Sequence, residues 1–226
     1  MECMNTSGQQ LSLVLADPQG LHWAQEQVTE HHYLHHPVDV RCRPLAYLVQ
    51  YQDQPMGCLI FGRPEATRVT GWYGSVEEVA TGSCPLTRWQ ILNLARVWLH
   101  PDLQTGGRCF IPHAASRAIA HALRRVGFEY LVYRPPVWLN EPYEIREVLS
   151  YCDTNVHQGT LYRAANFRLV RTNERGIETY ARALRHLTHA EHAEIARRSQ
   201  ADLRARRLRA ARTIVQPPLF EMEKTR

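Results

Sequence analysis

The chain has 226 residues, 44% of them hydrophobic and 22% charged, a balance that supports a full core and excludes a wholly disordered chain, a collagen-like repeat or a disulfide miniprotein. No apolar run approaches the roughly 20 residues of a membrane helix, so no membrane partner is expected. Residues 1–10 place no basic residue ahead of an apolar stretch, so no signal peptide is expected either.

The formal net charge is +5, and its placement says more than its size. Residues 197–212 carry seven arginines against the single acid Asp202, a local excess of +6 that leaves residues 1–196 at −1. Lys224 is the only lysine among 27 basic residues, which fits either a GC-rich genome or phosphate recognition by guanidinium groups. The six cysteines are scattered without a CxxC pair, which argues for reduced thiols in a cytoplasm over a zinc ribbon.

In chain order, residues 11–16 (LSLVLA), closed by Asp17-Pro18, read as a first strand. Residues 19–30 read as a helix with Leu21, Ala24 and Val28 at helical spacing, and a loop with His31, His32, His35 and His36 follows. Residues 45–51 and 56–62 form two strands of a hairpin. Residues 68–82, with Gly71-Trp72-Tyr73-Gly74, read as a loop. Residues 91–99 are the most strand-like segment of the centre, 113–126 a helix and 130–133 a short strand before the irregular Pro135-Pro136 connection. A strand at 147–153, a short helix at 160–166 and a hairpin of 167–171 with 177–181 come next. Thr188 and Glu191 have the spacing of a capping box, opening a helix to about residue 212, with Pro217-Pro218 beyond it. The expected fold is α+β, a mixed sheet flanked by helices, with residues 1–187 as the body and 188–226 as a basic helix and tail.

Strict alternation along 91–99 puts Ile91, Asn93, Ala95, Val97 and Leu99 on one face and Leu92, Leu94, Arg96 and Trp98 on the other. An arginine on that apolar face calls for a carboxylate, Asp153 or Glu147, or for a substrate phosphate. The strand ends at His100-Pro101, and a loop with Gly106 and Gly107 leads towards the next helix, a sequence that could cradle a pyrophosphate. This segment resembles the central motif of the GNAT N-acetyltransferase superfamily, whose loop reads Q/R-x-x-G-x-G/A. Gln104, Gly107 and Cys109 occupy the fixed places, and Cys109 and Pro112 depart from the pattern. The resemblance implies acetyl-CoA or another acyl-CoA, held by Leu99, Gln104, Gly106, Gly107 and Arg108.

A second segment, residues 151–167, carries Asp153 after a strand and then Gly159-Thr160-Leu161-Tyr162-Arg163-Ala164-Ala165-Asn166-Phe167. It resembles the Mom family of phage DNA-modification proteins and the related DruA-type domains. His31 or His32 with Tyr33-Leu34, and the GWYG loop, fit the same pattern, so the resemblance spans roughly residues 30 to 180. It implies an acetyltransferase-like fold that adds a carbamoylmethyl group to adenine N6 in double-stranded DNA and so shields the DNA from restriction. An acyl-CoA does not by itself yield that group, so the donor stays open. Tyr162 is the residue expected beside a cofactor thiol.

The candidate catalytic residues are therefore Asp153, Tyr162, Arg96, His32 and Tyr33. Asp153 is either a general base or a turn cap, and Tyr162 either a general acid or a half-buried helix tyrosine. If a metal is present, non-haem iron on His32, Tyr33 and Asp153 is the expected set, against a solvated histidine loop. Trp72 and Tyr73 could stack on a flipped base, and Asn166 could hydrogen-bond its edge or end the short helix. Arg204, Arg206, Arg207 and Arg209 could lie along DNA phosphates. Two other functions compete: an acyl-CoA-dependent N-acetyltransferase of a small amine or protein, and a non-catalytic DNA-binding component of an antiphage system.

Overall fold

The computed structural model describes residues 11–64, 86, 88–134 and 144–214, with side chains to residue 205. The GWYG loop with Trp72 and Tyr73, Pro135-Pro136 and Pro217-Pro218 lie outside the described residues. Seven strands form one sheet: β1 (Leu11–Leu15), β2 (Leu45–Tyr51), β3 (Gln54–Gly62), β4 (Ile91–Leu99), β5 (Glu147–Asp153), β6 (Arg168–Thr172) and β7 (Ile177–Ala183), in the order β1-β2-β3-β4-β5-β7-β6. Every neighbouring pair is antiparallel except β4 and β5, which run parallel. A parallel pair needs a long crossover, and helices α2 (Ala114–Leu123) and α3 (Val126–Tyr133) supply it. The mixed sheet with flanking helices is thus the α+β class that the sequence predicts.

Helix α1 (Pro18–His31) starts where Asp17 accepts a hydrogen bond from the Gly20 amide at 2.7 Å and Pro18 fixes the first turn. Its Ala24 and Val28 pack on Ala46, Cys58 and Ile60 of the sheet. The larger core joins Leu45, Tyr47, Leu59 and Phe61 to Ile119 of α2 and Tyr130 of α3. The short strand expected at 130–133 is instead the end of α3. Val126, Tyr130 and Leu131 are all buried there, and a run this apolar has no periodicity that separates helix from strand.

Helix α4 is Thr160–Ala164 and helix α5 is His189–Ile214. The capping box opens α5 as expected, with the Thr188 amide donating to Glu191 Oε2 at 2.8 Å and the Glu191 amide to Thr188 Oγ1 at 3.3 Å. Ile195 is buried and the Arg198 guanidinium lies 5.7 Å from the Tyr133 ring centre, so the first half of α5 docks on the body. Among the described residues no helix is long and apolar enough to cross a membrane. The four described cysteines are free thiols, three of them buried.

Candidate active site

Strands β4 and β5 stay in register only over Ile91–Asn93 and Glu147–Leu149. One further tie holds them, a 2.9 Å hydrogen bond from Ser150 Oγ to the Leu94 carbonyl. Just past that point β4 bulges: Ile60 pairs with Arg96 and Phe61 with Leu94, leaving Ala95 as the extra residue. A bulge bends and twists its strand, so β4 departs from β5 and a wedge opens between them. The bulge also breaks the alternation predicted for this strand. Val97 and Leu99 join Leu92 and Leu94 in the main core, while Ala95 and Trp98 pack towards α1.

The wedge holds a cavity of about 810 Å³, walled by β4, the start of α4, the turn after β5 and the histidine loop. Arg96 lines it and is 9% exposed. Its guanidinium donates to the Ala95 carbonyl at 2.7 Å and lies 2.9 Å from His36 Nδ1. Glu147, one of the two carboxylates the sequence suggested for it, pairs instead with Arg168 at 3.2 Å. The bulge is the physical reason, because it carries Arg96 over to the side of the histidine loop.

His32 Nδ1 accepts the Leu34 amide at 3.2 Å, so the neutral ring carries its proton on Nε2. Burial, followed by the Arg96 charge and the neighbouring histidines, lowers its pKa from 6.5 to about 4. The Tyr33 ring stands between two imidazoles, 4.5 Å from His32 and 5.0 Å from His157, the second edge-on. Burial raises the Tyr33 pKa, and the Asp153 carboxylate raises it further.

Tyr162 reaches the same cavity from α4. Its ring stacks on Tyr180 at 5.1 Å and meets Phe167 edge-on at 5.8 Å. Burial pushes its pKa up to about 12, against the opposing effect of a hydrogen bond with Ser150. The hydroxyl is therefore a proton donor at neutral pH, held where the two strands part.

A second groove, of about 650 Å³, runs from the end of β4 to the start of α2. Leu99, Leu103 and Ile111 form apolar walls, and Gln104, Thr105 and Ser116 add uncharged polar groups near the helix N-terminus. The groove and the wedge cavity share His32, Tyr33, Val97, His157, Thr160 and Leu161. The two spaces therefore meet at the His32–Tyr33–His157 cluster.

The candidates read from the sequence divide accordingly. His32, Tyr33, Arg96 and Tyr162 line the wedge cavity, and Leu99 and Gln104 line the groove. Gly106, Gly107 and Arg108 line neither space. A Cβ on Gly107 would collide with the carbonyls of Pro101 and Asp102, and its amide is bonded to the Gln104 carbonyl, so this glycine serves the tight turn. Arg108 reaches towards Asp102 at 3.9 Å.

Asp153 does not line the cavity either; its Oδ1 accepts the Asn155 amide and Asn155 Nδ2, both at 2.9 Å, which is the turn-capping geometry. Asn166 is exposed with φ +59° just past the end of α4, the helix-ending alternative. Arg204 is exposed on α5, and the side chains of Arg206, Arg207 and Arg209 lie outside the described residues. Among the described residues no three histidine, cysteine, aspartate or glutamate side chains are placed to hold a metal ion. The iron reading therefore finds no support among the described residues, and Asp153 Oδ1 is taken up by its own turn. His157 and Asn93 went unremarked as site residues. His157 stands inside the 151–167 motif and was the more legible of the two.

The family model described as the Mom protein family matches residues 21–217. No curated protein matches at a significant level. Among solved structures, a Bacillus subtilis acetyltransferase in complex with CoA is 12% identical, with a TM-score of 0.40 over 78% of this chain and 100% of that one. An aminoglycoside acetyltransferase in complex with coenzyme A is 14% identical, with a TM-score of 0.45 over 77% and 95%. A ribosomal L7/L12 α-N-protein acetyltransferase in complex with coenzyme A is also 14% identical, with a TM-score of 0.40 over 81% and 98%.

Proposed function

This chain belongs to the Mom protein family, and on that premise we propose that it is a DNA-modifying transferase that places a carbamoylmethyl-type group on adenine N6. The observation that carries this reading is the meeting of two spaces at one cluster of protonatable groups, His32, Tyr33 and His157, with Tyr162 facing the wedge. A transferase has to bring a donor and an acceptor together away from bulk water, and two joined clefts of this size suit that task.

The groove fits a CoA-type cofactor by the chemistry of its lining. Its apolar walls suit a linear arm, and Thr105 and the start of α2 offer uncharged donors at one end. Gln104 Nε2 donates to the Leu99 carbonyl at 2.7 Å and Ser116 Oγ to the His113 carbonyl at 3.1 Å. A CoA thioester held there would supply an activated carbonyl and a thiolate leaving group, which by itself gives an N-acyl product. A carbamoylmethyl product needs a further donor whose methylene carbon becomes bonded to N6, and that donor stays open. Tyr162, protonated up to about pH 12, is suited to hand a proton to a leaving group in the wedge. Tyr33, whose proton is held more tightly through burial and Asp153, lies beside His157, which can accept a proton from an amine. Asp153 would then act through Tyr33 and the turn it caps. His32, neutral with its proton on Nε2, can donate a hydrogen bond to the acceptor.

Double-stranded DNA is the proposed partner. The segment at 197–212 concentrates the positive charge, and Arg204 is exposed on it. Reaching N6 in a duplex requires turning the base out of the stack. Mass spectrometry of nucleosides from DNA co-expressed with the chain tests the proposal. A new adenosine derivative supports it, and unmodified DNA alongside folded, soluble protein refutes it.

A further inference from the structure

We propose that Asn93 reads the edge of the target adenine, its side-chain carbonyl accepting from N6 and its amide donating to a ring nitrogen. This rests on the adenine reading above and specifies how the base is chosen. Asn93 lines the wedge cavity, and its Oδ1 is buried without a hydrogen-bond partner among the described residues. No hydrogen bond to the other end of its amide is found among the described residues either. A buried carbonyl that gives up water and finds no donor is costly, and folded proteins seldom tolerate it without a purpose.

The position is also rigid. Asn93 is paired with Gly62 on one side and is the last residue of β4 in register with β5, opposite Leu149. The side chain thus springs from a backbone fixed on both flanks, at the apex where the strands part. Adenine offers a donor at N6 beside an acceptor at N7, the pattern a carboxamide matches with two bonds. Guanine presents an acceptor at the same place and would leave Oδ1 unpaired. Accepting from N6 would also orient the amine whose other hydrogen must leave.

The cavity suits a base as well as its reader. Its volume of about 810 Å³ admits a nucleotide. Leu34 and Val156, 40% and 51% exposed, line it from opposite loops and give an extruded base apolar ledges. Asn166, the residue the sequence offered for this task, is exposed and lines neither space.

The test titrates full-length protein with single-stranded oligonucleotides carrying one adenine, purine (which lacks N6) or 7-deazaadenine (which lacks N7). The wild type should bind adenine about tenfold tighter than either analogue, and Asn93→Ala should bind all three alike. Because the wild-type series needs no variant, a folding defect in Asn93→Ala cannot decide the outcome. Indifference of the wild type to both analogues, with DNA binding and modification intact, overturns the inference and leaves the proposed function standing. A variant that keeps the preference, or loses CoA affinity instead, also overturns it. Absence of any DNA modification by the wild type removes both together.

Discussion

Lowering the pH should destabilise this protein through one imidazole. His32 has an ordinary pKa of 6.5 when unfolded and about 4 when folded. Between those values the unfolded chain binds the extra proton and the folded chain does not, so stability rises with pH there. The contribution is fully present above 6.5 and is lost as the pH falls towards 4. At about pH 5 the full shift corresponds to about 2 kcal/mol, and His32 is only half-buried, so solvent screening reduces the expectation to about 1 kcal/mol.

Urea unfolding at about pH 7.5 and about pH 5, on the wild type and on His32→Gln, isolates that share, since glutamine can still accept the Leu34 amide. The wild type should lose about 1 kcal/mol more than the variant over that interval. An NMR titration of the His32 ring should have its midpoint well below those of solvated histidines. A midpoint near 6.5, or equal losses for the two proteins, would refute the placement of His32 beside Arg96, His35, His36 and His157.

Tyr162→Phe should leave binding of CoA and DNA unchanged and slow modification by about 10²-fold or more, read as a single-turnover rate. Glu147→Gln breaks the ion pair of a fully buried carboxylate with Arg168 and should cost about 2–4 kcal/mol in urea unfolding; a loss below about 0.5 kcal/mol would mean the pair is not formed. Neutralising Arg204, Arg206, Arg207 and Arg209 together should weaken DNA binding and lower the slope of log affinity against log salt by up to about 4, whereas parallel salt series would make α5 a solvated face.

Much of the fold was legible because its signals are local. Alternation and turn residues marked β1, β2, β3 and the β6–β7 hairpin, and the Thr188–Glu191 pair marked the start of α5. What failed was decided by distant contacts. Residues 126–133 carry β-favouring Val, Phe and Tyr, yet they form α3 because burial on several sides rewards a helix there. The bulge at Ala95 leaves no local trace, since both Ala95 and Arg96 suit an extended strand. It nevertheless brought Arg96 to His36, while Glu147, one of the two carboxylates expected for it, pairs with Arg168.

The site was half legible for the same reason. The Mom-like motif gave Tyr162, and the histidine loop gave His32 and Tyr33, all of which meet at the cavity. Asp153 is in the motif, but its own turn occupies one carboxylate oxygen. Asn93 carries no motif. It stands out only once the strands are known to part immediately beyond it.

The central claim is that adenine is modified in the wedge between β4 and β5. Nucleoside mass spectrometry of DNA from cells expressing the wild type and Tyr162→Phe at equal soluble levels tests it most directly. A modified adenine in the wild type, sharply reduced in the variant, is the result predicted. Equal modification by both proteins would place the chemistry outside the wedge, and its absence from both would contradict a DNA-modifying role.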